Sequence, residues 1–214
     1  TWSPDGKMLA YCSAHMEIQD YSQREREIID RYQEFQYNIY RKPFDPVTQE
    51  FGPSELVLDA KAMNRSATFP RVSPDGRYLL FGMGGYGCFH IWHKDADLYV
   101  MDLETMELYD VTAMNSDDVE SYHAWSSNGR WILVTSRRDD GGYTRLYIAY
   151  FDEQGKVYKP FLLPQRDPYF YADYYKSYNV PEFMVEPVTI TPQEFARYLD
   201  GEAQTVAFRS RSVK

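Results

Sequence analysis

The residues best equipped for chemistry crowd into one stretch. Gly82-Met83-Gly84-Gly85-Tyr86-Gly87 satisfies Gly-x-Gly-x-x-Gly after an apolar run, the spacing that cradles a dinucleotide pyrophosphate. That chemistry needs the turn to open a helix whose N-terminal amides face the phosphates. Only nine residues separate Gly87 from the strand expected at 97–102, so the glycines read as a loop between strands and no cofactor is expected. The loop continues through Cys88, His90, His93, Asp95 and Asp97, ligand types that suit zinc or another transition metal. One extended loop rarely converges four ligands, and histidines beside aromatics usually pack and hydrogen-bond. No metal is therefore expected, and His90 and His93 stand as candidate binding residues.

Other candidates are dispersed. His123 falls on a predicted innermost strand, either as a hydrogen-bonding residue of a central channel or as a ligand contact. Asp117, Asp118 and Glu120, and the turn Asp139-Asp140-Gly141-Gly142, offer oxygen ligands for calcium but read better as solvated turns. The aromatic run Tyr169-Phe170-Tyr171 with Tyr174, Tyr175 and Tyr178 is either a partner surface, with Tyr171, Tyr174 and Tyr175 as its contacts, or a layer packed on the fold. No Gly-x-Ser-x-Gly elbow occurs and no serine has a recognisable nucleophile context, so catalysis is not expected. Lys plus Arg number 23 against 32 Asp plus Glu, and a net charge of −9 repels phosphate backbones, which argues against nucleic acid. Two cysteines, Cys12 and Cys88, leave one bridge and two buried thiols both open. No run reaches the roughly 18 apolar residues of a membrane span.

The elements that carry these residues are set by a repeat. Trp2-Ser3-Pro4-Asp5-Gly6-Lys7 precedes Met8-Leu9-Ala10-Tyr11, and Val72-Ser73-Pro74-Asp75-Gly76-Arg77 precedes Tyr78-Leu79-Leu80-Phe81. A third copy, Trp125-Ser126-Ser127-Asn128-Gly129-Arg130, leads into Trp131-Ile132-Leu133-Val134. Each is a tight turn between strands: Ser opens it, Pro presets φ, Asp or Asn tolerates the third position and Gly takes the positive φ. The apolar runs that follow lack strict alternation, the mark of a strand covered on both faces. Strands are expected at 66–73, 77–83, 97–102 and 107–112 in the second unit, and at 121–126, 130–136, 144–151 and 158–163 in the third. The first unit offers 7–13, 37–43 and 54–58, with an innermost strand lacking. Four strands per unit make a propeller blade, so the fold class is all-β, with blades at about 1–60, 61–114 and 115–163. Three blades do not close a ring, which implies further blades upstream or in a second copy.

Two segments depart from the repeat. Residues 17–36 place Ile18, Tyr21, Ile28, Ile29, Tyr32 and Phe35 at helical spacing, with Ser22 and Glu25 fitting a capping box and Glu27 to Arg31 an i,i+4 pair. This predicts an inserted helix whose apolar stripe lies on the propeller rim, or else docks a partner. Residues 164–214 form a C-terminal extension, with a short helix begun by Thr191-Pro192-Gln193-Glu194 and a last strand expected at 203–208.

The repeated Ser-Pro-Asp-Gly-Lys/Arg, with Asp97-Leu98-Tyr99-Val100-Met101-Asp102 later in the blade, resembles the TolB-like, WD-repeat-like propellers of bacterial envelope proteins. Tyr40-Arg41-Lys42-Pro43-Phe44, Thr68-Phe69-Pro70-Arg71-Val72-Ser73, Tyr122-His123-Ala124-Trp125 and Ser177-Tyr178-Asn179-Val180-Pro181-Glu182-Phe183 are similar to the C-terminal half of a large subgroup of them. The resemblance implies a six-bladed ring, a periplasmic or outer-membrane location and a non-catalytic role in binding a protein partner. In that subgroup a Cys-x-x-Cys-His haem segment can precede the ring, and this sequence has none. The alternative is an accessory propeller of a larger enzyme or cytochrome-like electron-transfer protein whose active part lies upstream. Prolyl-oligopeptidase relatives carry a similar propeller ahead of a catalytic domain, but only about 50 residues follow the third blade here, too few for an α/β-hydrolase domain.

Overall fold

The computed structural model describes residues 1–203 and 205. The repeated turns form three times with one hydrogen-bond pattern. In the first, Gly6 N donates to Ser3 O at 2.9 Å, Met8 N to Ser3 Oγ at 3.0 Å and Lys7 N to Asp5 Oδ1 at 3.1 Å. Ser73, Asp75 and Gly76 repeat it, as do Ser126, Asn128 and Gly129, where Asn128 Oδ1 accepts from Arg130 N at 3.0 Å. Gly6, Gly76 and Gly129 take φ of 68°, 80° and 67°, which a side chain would resist. Pro4 and Pro74 occupy the second position in two of the turns.

The turns launch the first strand of one four-stranded antiparallel sheet and the second strand of two others. The first sheet holds β1 (Met8–Ser13), β2 (Asn38–Asp45), β3 (Glu50–Phe51) and β4 (Glu55–Leu58), with β2 pairing β1, β3 and β4. The second runs β5 (Ser66–Val72), β6 (Tyr78–Gly84), β7 (Asp97–Asp102) and β8 (Leu108–Tyr109) in order. The third runs β9 (Glu120–Trp125), β10 (Trp131–Ser136), β11 (Arg145–Tyr150) and β12 (Phe161–Leu162).

The sheets stack face to face. Every residue of β6 is buried, and its side chains alternate between two cores. Leu79, Phe81 and Met83 join Ala10, Ile39, Val57 and Leu58 of the first sheet, whereas Tyr78 and Leu80 join Ile132, Val134, Tyr147 and Ala149 of the third. Period-two alternation thus glues the middle sheet to both neighbours. The result is an all-β, propeller-like stack of three blades.

The fourth strands are shorter than the apolar pattern predicts. Asp110 Oδ1 accepts from Thr112 N at 3.1 Å and from its hydroxyl at 2.7 Å, turning the chain into a 3-10 turn over Thr112–Met114 and ending β8 at Tyr109. Residues 158–160 lie outside β12. The first sheet gains β3, because Phe44, Phe51 and Trp2 cluster at centroid distances of 4.9–5.7 Å.

The insertion also differs from expectation. Its helix, α1 (Arg24–Asp30), spans seven residues between 3-10 turns at Tyr21–Gln23 and Tyr32–Glu34. The Ser22/Glu25 capping box does not form: Asp20 Oδ1 takes Ser22 N and Oγ at 2.9 and 2.7 Å, so Asp20 caps the turn before α1 instead. Glu27 and Arg31 pair at 3.2 Å. The stripe does not lie buried on the rim; Tyr21 and Ile29 are 78% and 69% exposed, because so short a helix turns few residues inward.

Among the described residues, 1–183 form one compact unit and those from 184 onward a second. In the latter, α2 (Pro192–Leu199) begins with a complete capping box, Thr191 Oγ1 accepting from Glu194 N at 3.2 Å and Glu194 Oε2 from Thr191 N at 2.9 Å. The strand expected at 203–208 falls outside the described residues except at 203 and 205. Among the described residues no helix is long and apolar enough to cross a membrane.

Candidate functional site

In the second and third sheets the turns between first and second strands are short and the connections between second and third strands long, 85–96 and 137–144; in the first sheet the long connection, 14–37, follows β1 directly. These long connections meet one another. Gly87 N donates to Phe35 O at 2.6 Å, Gln36 Nε2 to Gly85 O at 3.3 Å, and the Tyr32 and Tyr86 rings meet edge-on at 5.4 Å. The second connection reaches the third through Trp92, whose ring has the Arg137 guanidinium carbon 3.4 Å from its centroid. The third ties down residues 164–183: Tyr178 N donates to Thr144 O at 3.1 Å and Arg145 Nη1 to Lys176 O at 2.8 Å. One end of the stack is therefore built of loops, opposite the Ser-Pro-Asp-Gly turns.

His90 explains the glycine fingerprint. It is buried in a 3-10 turn (His90–Trp92), with Nε2 donating to Tyr86 O and Gly87 O at 3.2 and 3.1 Å and Nδ1 accepting from the Thr68 hydroxyl at 3.3 Å. A Cβ on Gly84 would come within 3.2 Å of its ring, and Gly87 takes φ 73°. Gly84 and Gly87 serve a packed histidine, and the stretch opens no α-helix. Burial pushes His90 down to about 4, so the ring is neutral at pH 7. His93 packs on Tyr86 at 4.5 Å and on His90 at 5.3 Å. Among the described residues no three His, Cys, Asp or Glu side chains converge as metal ligands.

His123 is fully buried, with Nε2 2.8 Å from Phe69 O and Nδ1 2.9 Å from Ser121 O. Burial pushes this imidazole down too, and a neutral ring donates to one carbonyl at a time. Its neighbour Trp125 donates Nε1–H to Arg71 O at 3.0 Å. Together they grip a bulge in β5, where the register with β6 shifts between Thr68 and Arg71 and Phe69 takes φ 51° just before Pro70. That conformation costs an L-residue on the order of 1–3 kcal/mol, and pre-proline residues avoid it. It turns the Phe69 ring toward Tyr122 at 4.8 Å and Phe89 at 6.2 Å. Phe69 also walls a cavity of about 530 Å³, with Tyr11, Cys12, Tyr37, Cys88 and Phe89 among its lining residues.

Glu120 and Arg145 organise the third blade. Glu120, fully buried, accepts from Arg138 Nη2 at 2.7 Å, Ser136 Oγ at 2.8 Å and Ser116 Oγ at 2.6 Å, which accounts for one member of the acidic run. Arg145 is 2% exposed and lies 5.1–5.7 Å from the ring centroids of Tyr143, Tyr171 and Tyr174. Tyr174 stacks on Phe170 and Tyr178. Tyr171 and Tyr174 thus pack around a buried cation, whereas Tyr169 and Tyr175 stay 78% and 70% exposed.

Sequence reasoning missed Arg137. It is 5% exposed, yet its Nε–H has no acceptor among the described residues. The nearby Asp118 and Asp140 pair with Lys94 at 3.8 Å and Arg145 at 3.6 Å instead. Trp92 covers Arg137 while remaining 73% exposed itself, and Phe89 of the same connection is 68% exposed. Nothing in an Arg-Arg-Asp-Asp loop distinguishes the arginine that will be buried from the one that will pair.

An all-β stack of propeller-like blades with one loop-built end is the class defined by these observations. No family model matches the chain, and no curated protein matches it. Among solved structures it is similar to the β-propeller domain of the trilobed protease from Pyrococcus furiosus, at 18% identity and TM-score 0.41 over 75% of this chain and 41% of that one. It is also similar to prolyl oligopeptidase B from Galerina marginata (16% identity, TM-score 0.42, 76% of this chain and 21% of that one). A third likeness is the Pyrococcus horikoshii acylaminoacyl peptidase (17%, 0.38, 75% and 24%). The chain spans from about a fifth to about two fifths of the length of these three proteins.

Proposed function

We propose that the chain is a TolB-like propeller segment of the bacterial cell envelope that acts as a non-catalytic platform for a protein partner, recognised at its loop-built end. The observation that carries this reading is Arg137, a buried guanidinium whose Nε–H lacks an acceptor beneath the exposed Trp92. A carboxylate of the partner reaches that guanidinium once the Trp92 ring moves off it, forming charge-assisted hydrogen bonds, and Trp92 with the exposed Phe89 of the same connection supplies apolar contact area. His90 and His123 support a non-catalytic role, since their ring nitrogens are occupied by groups of the chain itself and a general base must reach a substrate proton. The further blades expected upstream or in a second copy belong to the same reading.

Photo-cross-linking tests it. A reactive phenylalanine analogue at position 89 or 92 should yield an adduct with a separate protein in envelope extracts, while the same group at Gly76 or Gly129 should not. Adducts confined to the turn positions would refute the reading; adducts with a catalytic domain of the same polypeptide would replace it with an accessory-domain role.

A further inference from the structure

The chain has two cysteines in 214 residues, 76 positions apart, and both open on the same cavity. Cys12 sits on β1 in the first sheet and Cys88 in the connection that follows β6 in the second; both are free and half-buried. Tyr37 lies with them, its phenol raised by burial and then by Cys88 and Cys12. The backbone beside Cys88 is pinned: Gly87 N donates to Phe35 O at 2.6 Å, and Gly87 O accepts from the Ser66 hydroxyl at 2.5 Å. The thiol is therefore presented to the cavity by a loop held on two sides.

We propose that Cys12 and Cys88 form a redox pair that closes into a disulfide across the cavity, latching the glycine-rich loop of the second blade to the first strand of the first. The oxidant is a low-molecular-weight disulfide such as oxidised glutathione. Cys12, pushed up to about 12 by burial, is a poor nucleophile at neutral pH, so the first attack falls to Cys88. Its sulfur bonds to one glutathione sulfur, the glutathione S–S bond breaks, and the released thiolate takes up a proton. Cys12 then loses its proton to solvent and attacks the Cys88 sulfur, expelling the second glutathione. Two electrons and two protons pass from the pair to the oxidant, leaving one protein disulfide and two glutathione thiols. Because Phe89 and Phe69 line the same cavity, the latch couples the redox state to the wall of the loop-built end.

Intact-mass analysis and thiol titration of the whole chain, incubated with oxidised glutathione, decide the matter. The wild type should lose both thiols and two hydrogens, remain free of glutathione and yield a cross-linked peptide joining Cys12 to Cys88. Cys12→Ser should stop at one glutathione adduct, and Cys88→Ser should react at least ten-fold more slowly than Cys12→Ser. The peptide map of the wild type reads the bond even where a variant fails to fold. Two adducts on the wild type, dimers linked between chains, retained thiols, or equal rates for the two variants would overturn the proposal.

Discussion

His90 turns a buried contact into a measurable pH dependence. Its imidazole is held from the ordinary 6.5 down to about 4, chiefly by burial and then by the neighbouring His93. The folded ring therefore refuses a proton that the unfolded chain accepts. As pH falls below 6.5 the unfolded state gains protons first, so stability drops until the folded ring titrates near 4 and is then flat for this group. At about 1.4 kcal/mol per pH unit over that interval, the loss amounts to roughly 3 kcal/mol. Carboxylates held low, such as Asp102 and Asp140, lose stability with the same sign as pH falls, so the wild type alone does not isolate the histidine. The assay is urea unfolding at pH 7.0, 5.5 and 4.0 on the wild type and on His90→Gln, which keeps an amide donor but does not titrate. The variant should start less stable and lose roughly 3 kcal/mol less on acidification. Parallel pH profiles for the two proteins would refute the reasoning.

Further outcomes follow from single contacts. Arg145→Gln removes the cation from the cage of Tyr143, Tyr171 and Tyr174 and its bond to Lys176 O, a loss of about 2–3 kcal/mol that should expose residues 164–183 to limited proteolysis. Gly155→Ala places a Cβ against the Tyr109 ring at φ 83° and should cost more than about 2 kcal/mol. Gly6→Ala, at φ 68° with open space around it, should cost only about 1 kcal/mol in thermal or urea unfolding.

The elements that repeat were legible in the residues, and those that depend on distant partners were not. Ser73-Pro74-Asp75-Gly76 announces its turn because every hydrogen bond of the turn is local, and β6 announces burial on both faces by an unbroken apolar run. β8 is cut short by a local side-chain bond at Asp110 that competes with the ladder. The insertion carries helical spacing, but spacing alone does not reveal that only seven residues become α-helix with their stripe in water. At the candidate site, His90, His93 and His123 stand out by residue type, while the roles of His90 and His123 depend on Thr68 and Phe69 from another strand. The run with Tyr171 and Tyr174 carries no sign that Arg145 lies among their rings. Arg137 carries no signal, since its isolation arises from where Asp118 and Asp140 find other partners.

The loop-built end stands or falls on Arg137. Calorimetric titration of the cross-linked partner, once purified, against wild type and Arg137→Met compares a chain that offers the buried cation with one that keeps only its apolar stem. The account predicts at least a ten-fold weaker Kd for Arg137→Met with the fold intact by circular dichroism. An unchanged Kd would contradict it.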